Sequence, residues 1–170
     1  MKIFLIFYLL LVGCTSKELS REEALKLIQQ ENQFPKVFDF EINRLDPDQA
    51  RKVLNAGLEK EGIVTVQRTQ KLGEIGKPLI YFTDKAKPYL LPITKGGNPD
   101  KVQVVKVANK DLVEVTGIST NSNEKTAVVE YTTAYKNITP FAALVNLDFQ
   151  KKEMHKAYFS LYDDGWRLEK

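Results

Sequence analysis

One histidine and one cysteine, His155 and Cys14, are the entire supply of imidazole and thiol chemistry in these 170 residues. A two-histidine metal centre and a relay through two imidazoles are therefore excluded, and no disulfide can close within the chain. His155 stands among Lys151, Lys152, Glu153 and Lys156, surroundings that suit a surface residue at a strand entry better than a general base. Ser119, Ser122 and Ser160 carry no nucleophile-elbow motif. Asp163 and Asp164 are adjacent carboxylates that could form a cation site or an acid and base pair. With Gly165, however, they have the composition of a tight hairpin turn, in which neighbouring side chains diverge. Asp39, Asp46 and Asp48 lack calcium-loop spacing, and Lys95-Gly96-Gly97-Asn98-Pro99 has two glycines without the rest of a phosphate loop. The chain is expected not to be an enzyme and to use no cofactor or metal.

What the sequence does concentrate is aromatic side chains suited to binding. Tyr131, Tyr135, Tyr158, Phe159, Tyr162 and Trp166 all fall in the last forty residues. Strand alternation puts Val129, Tyr131 and Tyr135 on one face, and Tyr158 and Tyr162 on a common face of a neighbour. Tyr131, Tyr135, Tyr158, Tyr162 and Trp166 are thus candidate binding residues if a sheet face is left uncovered. The simpler alternative is a buried sheet face, because a small sheet must cover one side to be stable.

The elements that would position these residues can be read along the chain. Ser20 and Glu23 have capping-box spacing, and Ala24, Leu25, Leu27 and Ile28 supply the apolar side of a helix ending near Gln30 to Asn32. Phe34, Val37, Phe38 and Phe40 predict a loop or short strand on the core. Asp46-Pro47-Asp48 opens a second helix carrying Ala50, Val53, Leu54 and Leu58, with Gly62 as its terminator. Ile63 to Val66 and Pro78 to Thr83 predict a hairpin. Strands follow over 102–107, 112–118, 126–135, 157–162 and 166–168, with turns at Asn121-Ser122-Asn123 and Asp163-Asp164-Gly165. Pro140 to Val145 predicts a short helix or an apolar lid, and residues 93–100 a linker between two regions.

The phrases LEKEGIVTV and GKPLIYFTDKAKPYL, within residues 20–92, resemble the recognition helix and wing of a winged-helix domain. The ending LYDDGWRLE resembles the last hairpin of small exported domains of cystatin-like or nuclear-transport-factor-2-like shape, where the tryptophan closes the core. The expected fold class is α+β: a helical, winged-helix-like half with a β-hairpin over 20–92, then an antiparallel sheet over 101–170. A DNA-reading winged helix would present basic side chains, yet Arg51, Lys52 and Lys60 are offset here by Asp46, Asp48 and Glu59. No nucleic-acid partner is expected.

At the N-terminus, Lys2 precedes ten uninterrupted apolar or aromatic residues, Ile3 to Val12. That run is too short to span a bilayer and has the layout of an export signal. Leu11-Val12-Gly13-Cys14 closes it and resembles the lipobox of bacterial lipoproteins. The resemblance implies a signal peptide over 1–13, a diacylglyceryl group on the Cys14 thiol, cleavage before Cys14, and a lipidated tether over 14–19. Two or more acyl chains, palmitate among them, would hold the protein on its membrane. Thr15, where an aspartate tends to retain such proteins in the inner membrane, points to the outer membrane of a diderm host, facing the periplasm.

Charge is unevenly spread: residues 61–110 carry nine Lys or Arg against four Asp or Glu. Such a segment could face anionic lipid or glycan, or be a solvated face. The function expected is that of a non-catalytic accessory or adaptor holding another envelope protein at the membrane. The alternative is a small-ligand or glycan binder with a pocket between the C-terminal sheet and Pro140 to Val145. Cys14→Ser is expected to leave an unprocessed precursor lacking the diacylglyceryl group; intact-mass measurement checks this, and a lipidated, matured Cys14→Ser protein would refute the lipobox reading.

Overall fold

In the computed structural model, which describes residues 18–93 and 98–169, helices begin where their caps predict. The Ser20 hydroxyl accepts the Glu23 amide at 3.1 Å and α1 runs Arg21–Glu31. Asp46 accepts the Asp48 amide at 2.8 Å and α2 runs Pro47–Asn55. α2 stops well before Gly62. Gly57, at φ +79°, takes the left-handed conformation that ends a helix, and Leu58 is then buried from the turn that follows. The tetrapeptide ending in Cys14, most of the tether, and Lys95 to Gly97 lie outside the described residues.

Between the two helices, Lys36–Asn43 forms strand β1. Phe38, Phe40 and Ile42 turn inward while Val37, Asp39 and Glu41 stay exposed, the period of two that a half-buried strand requires. Residues 20–92 therefore do not form the helical, winged-helix-like half expected: their two α-helices have 11 and 9 residues and are separated by this strand. The expected hairpin is present in short form as β2, Val64–Val66, paired antiparallel with β3, Ile80–Phe82.

The remaining strands are β4 (Leu90–Leu91), β5 (Val102–Asn121), β6 (Thr126–Lys136), β7 (Glu153–Tyr162) and β8 (Gly165–Leu168). They assemble with β1 into one antiparallel sheet of order β1-β5-β6-β7-β8, with β4 also on β5. β5 replaces the two separate strands expected. Asn109, Lys110 and Asp111, which read as a break, are paired with Lys136, Tyr135 and Ala134 of β6, so the ladder carries the polar residues through. β7 likewise begins at Glu153, four residues before its apolar part.

Each register shift along β5 leaves one extra residue on β5 itself, at Val107, Val113 and Thr116. Bulges of this kind bend a strand and strengthen its right-handed twist. They also release carbonyls, which other elements take up. Thr139 donates its amide to Val107 O at 2.9 Å and its hydroxyl to Lys106 O at 2.6 Å. The Arg21 guanidinium donates to Val115 O and Thr116 O at 3.4 and 3.3 Å, pinning the start of α1 to the far bulge.

One sheet face carries two apolar cores. The first joins Ile42 and Val105 to Ala50 and Val53 of α2, to β2 and β3, and to Phe141 and Leu144 of a short 3-10 helix at Pro140–Leu144. The second joins Ala24 and Ile28 of α1 to Val115, Val129, Phe159 and Trp166. Phe159 and Tyr158 are adjacent on β7, but the first is 1 % exposed and the second 58 %. Phe159→Ala should cost about 3–5 kcal/mol of stability and Tyr158→Ala no more than about 0.5 kcal/mol. Urea unfolding of the two variants checks this; equal losses would mean that both sheet faces are covered.

Candidate functional site

Along β5, Lys110 stands between Val105 of the first core and Val115 of the second. Around it the same sheet face carries polar and aromatic side chains instead of aliphatic ones. Lys110 lies opposite Tyr135 on β6, and Thr133 and Tyr131 of β6 lie opposite Glu153 and His155 of β7. The Lys110 ammonium meets the Glu153 carboxylate at 2.5 Å. His155 Nε2 is 2.8 Å from the Thr133 hydroxyl and 3.6 Å from Glu153, and its ring stacks on Tyr131 with centroids 5.2 Å apart. Phe38 and Phe149 flank Tyr135 at 5.5 and 5.3 Å.

The electrostatics follow from partial burial. The Lys110 hydrogen bond holds the Glu153 carboxyl below its ordinary range, with smaller help from His155 and Tyr135. Burial lowers the His155 imidazole and the Lys110 cation lowers it further, against a weaker pull from Glu153. Burial raises both Tyr131 and Tyr135, so each phenol remains a neutral donor. Chemically, the arrangement falls short of a catalytic triad. Thr133 and Glu153 both approach the same ring nitrogen, whereas a relay needs the carboxylate on one nitrogen and the hydroxyl on the other. It can bind and orient: a half-buried carboxylate paired with an ammonium, and an imidazole, among aromatic rings.

The five aromatic residues singled out by the sequence divide between the two faces. Tyr131 and Tyr135 belong to this half-buried cluster, and Trp166 is built into the second core. Tyr158 and Tyr162 lie on the opposite, outer face, 58 % and 49 % exposed, in line with Met154 at 72 %. The Arg167 guanidinium lies over the Tyr162 ring at 4.7 Å and pairs with Asp164 at 2.6 Å. Beside Tyr158, Ser119, Val128, Glu130 and Lys156 line a shallow hollow of about 410 Å³. Glu130–Lys156 and Glu114–Lys152 ion pairs, each at 3.2 Å, cross the same face.

Lys110, Thr133, Glu153 and His155 were not legible as a group. His155, read from its lysine neighbours as a surface residue, points with Glu153 to the inner face, while Lys152 and Lys156 point to the outer. The available signal was the alternation of Glu153, His155 and Ala157 back from the buried Phe159.

No family model matches the chain, and no curated protein or solved structure matches it. Among the described residues no group of three or more His, Cys, Asp or Glu is placed to hold a metal ion, and no helix is long and apolar enough to cross a membrane.

As the single histidine, His155 gives one imidazole resonance to follow by NMR. Its midpoint should fall below the ordinary 6.5 and rise in Lys110→Gln. Because the unfolded chain then binds this proton more tightly, the stability linked to His155 is intact above about pH 6.5, declines as pH falls through the folded midpoint, and levels off beneath it. A wild-type midpoint at or above 6.5 would contradict the burial of the ring.

Proposed function

We propose that this protein is a membrane-anchored, exported lipoprotein that acts without catalysis as an adaptor, docking another envelope protein on the outer face of its sheet. The observation that supports it best is the row Met154, Tyr158 and Tyr162, exposed on a face that neither α1 nor α2 covers. Tyrosine suits such a role because a rigid ring buries much area while its hydroxyl stays solvated. The surrounding charges are mostly paired with each other, so they form a polar rim around an apolar centre, the usual anatomy of a protein interface. The hollow beside the row is shallow, which favours a macromolecule over a small ligand. Its location, in this reading, is the periplasmic side of the outer membrane in a diderm host.

A second reading, a small-ligand or glycan binder, is favoured by the His155 cluster. Phe141 and Leu144 of the Pro140–Leu144 segment are buried in the first core, so a ligand would sit over Tyr131, Tyr135, Glu153 and His155 instead.

A photo-crosslinking amino acid placed at position 158 in cells should capture one dominant envelope protein, and the same group at Asn123, on the β5–β6 turn, should capture none. Tyr158→Ala combined with Tyr162→Asp should abolish the complex, while Tyr131→Ala leaves it intact. Equal capture at both positions, or none at 158, would sink the adaptor reading.

A further inference from the structure

The loop between β2 and β3 orders itself with polar bonds and turns two aliphatic side chains into water. Glu74 accepts from Gln67 Nε2 and from the Lys71 amide, both at 3.1 Å. The Gln70 side-chain amide donates to Lys77 O at 3.0 Å. A 3-10 turn over Leu72–Glu74 and Gly76 at φ +88° complete the bend. At its tip Leu72 is 87 % exposed and Ile75 70 %, and neither belongs to the two cores. A loop with this much internal bonding could present polar residues at no loss to its own geometry, so the exposed aliphatic pair calls for an occupant.

The charges nearby say which. Arg68, Lys71 and Lys77 flank the pair against the single acid Glu74, and that carboxylate is engaged by the loop itself. Lys71 and Lys77 have no ion-pair partner among the described residues. At the foot of the loop lies a groove of about 420 Å³. Its walls are Ala50, Leu54, Val66 and Leu79; Arg51 and Arg68 also line it but are paired with Asp48 at 3.1 Å and Glu59 at 2.5 Å, so the free positive charge is that of Lys71 and Lys77. Apolar tip, flanking ammonium groups and an apolar-walled groove match the interfacial zone of a bilayer, where acyl chains lie beneath anionic headgroups.

We propose that the β2–β3 loop is a second membrane contact, which inserts Leu72 and Ile75 among anionic phospholipids while Lys71 and Lys77 engage their phosphates. The tether enters at α1, on the second core, whereas the loop extends from the first. The two contacts would thus engage different ends of the inner sheet face. The proposal builds on the membrane location proposed above, but the loop is read out independently of the lipid anchor.

The test uses the full chain with Leu72→Cys, or Asn123→Cys as control, carrying a fluorophore on the new thiol, mixed with vesicles that contain bilayer-buried quencher lipids. With phosphatidylglycerol present the label at 72 should be quenched and the label at 123 should not. Ile75→Asp should reduce the quenched fraction about tenfold, Lys71→Gln with Lys77→Gln should remove the dependence on anionic lipid, and added salt should weaken it. A label at 72 that stays in water, or is quenched equally in phosphatidylcholine alone, would overturn the proposal. Labelling of the unsubstituted chain separates this from the anchor: a reactive Cys14 means the lipobox reading has failed, whatever the loop does.

Discussion

Three extra residues in β5, Val107, Val113 and Thr116, are the constraint on which the other elements depend. A regular strand of 20 residues would make a long, gently twisted ribbon whose apolar face two short helices could not cover. Each bulge adds twist and bend, which curls the sheet toward the face where the helices lie. Each also frees backbone carbonyls that must find donors. Thr139 fills that need at the near bulge and Arg21 at the far one, so the same irregularities that shape the sheet fix where the 3-10 helix and α1 dock.

Curling divides the inner face. Aliphatic side chains gather at both ends, and the stretch between them is occupied by Lys110, Glu153, His155 and their aromatic neighbours. A charge in such a place is tolerable only if paired, and here the pairs close on one another: ammonium to carboxylate, imidazole to hydroxyl and to a tyrosine face. Their half-exposure keeps the desolvation cost modest and the groups accessible. This combination is compatible with a rigid joint between two cores and with a polar binding patch, and it lowers the imidazole and carboxyl pKa values together.

The outer face follows a different logic. Its ion pairs, Glu130–Lys156 between β6 and β7 and Glu114–Lys152 from β5 to the residue before β7, are well exposed, so they add little stability, while tyrosine and methionine stand among them. The β2–β3 loop is similar in kind: polar bonds hold the backbone and apolar groups point away. Two surfaces thus expose apolar groups held by polar surroundings, and these are the groups that the proposed partner docking and membrane contact would bury.

Local chemistry made much of this readable in advance. Ser20 and Asp46 mark helix starts because their caps are short-range bonds; Asp163-Asp164-Gly165 marks a hairpin because only certain residues tolerate its backbone, and Gly165 does sit at φ +131°. The α+β class and the aromatic strands were legible from periodicity; the export reading rests on residues 1–14, which lie outside the described structure. Between Phe34 and Phe40 the loop and the short strand could not be told apart locally, because Phe38, Phe40 and Ile42 become a strand only by pairing with β5, more than sixty residues later. For the same reason β5 looked broken at Asn109 to Asp111, where the apolar pattern lapses but the partner strands do not. The sequence by itself determined where the two helices begin and where the last hairpin turns, because those points rest on local hydrogen bonds and backbone preferences. Which aromatic faces water, and that Lys110, Thr133, Glu153 and His155 meet, was decided by tertiary structure alone, because pairing register and bulges bring together residues no local pattern connects.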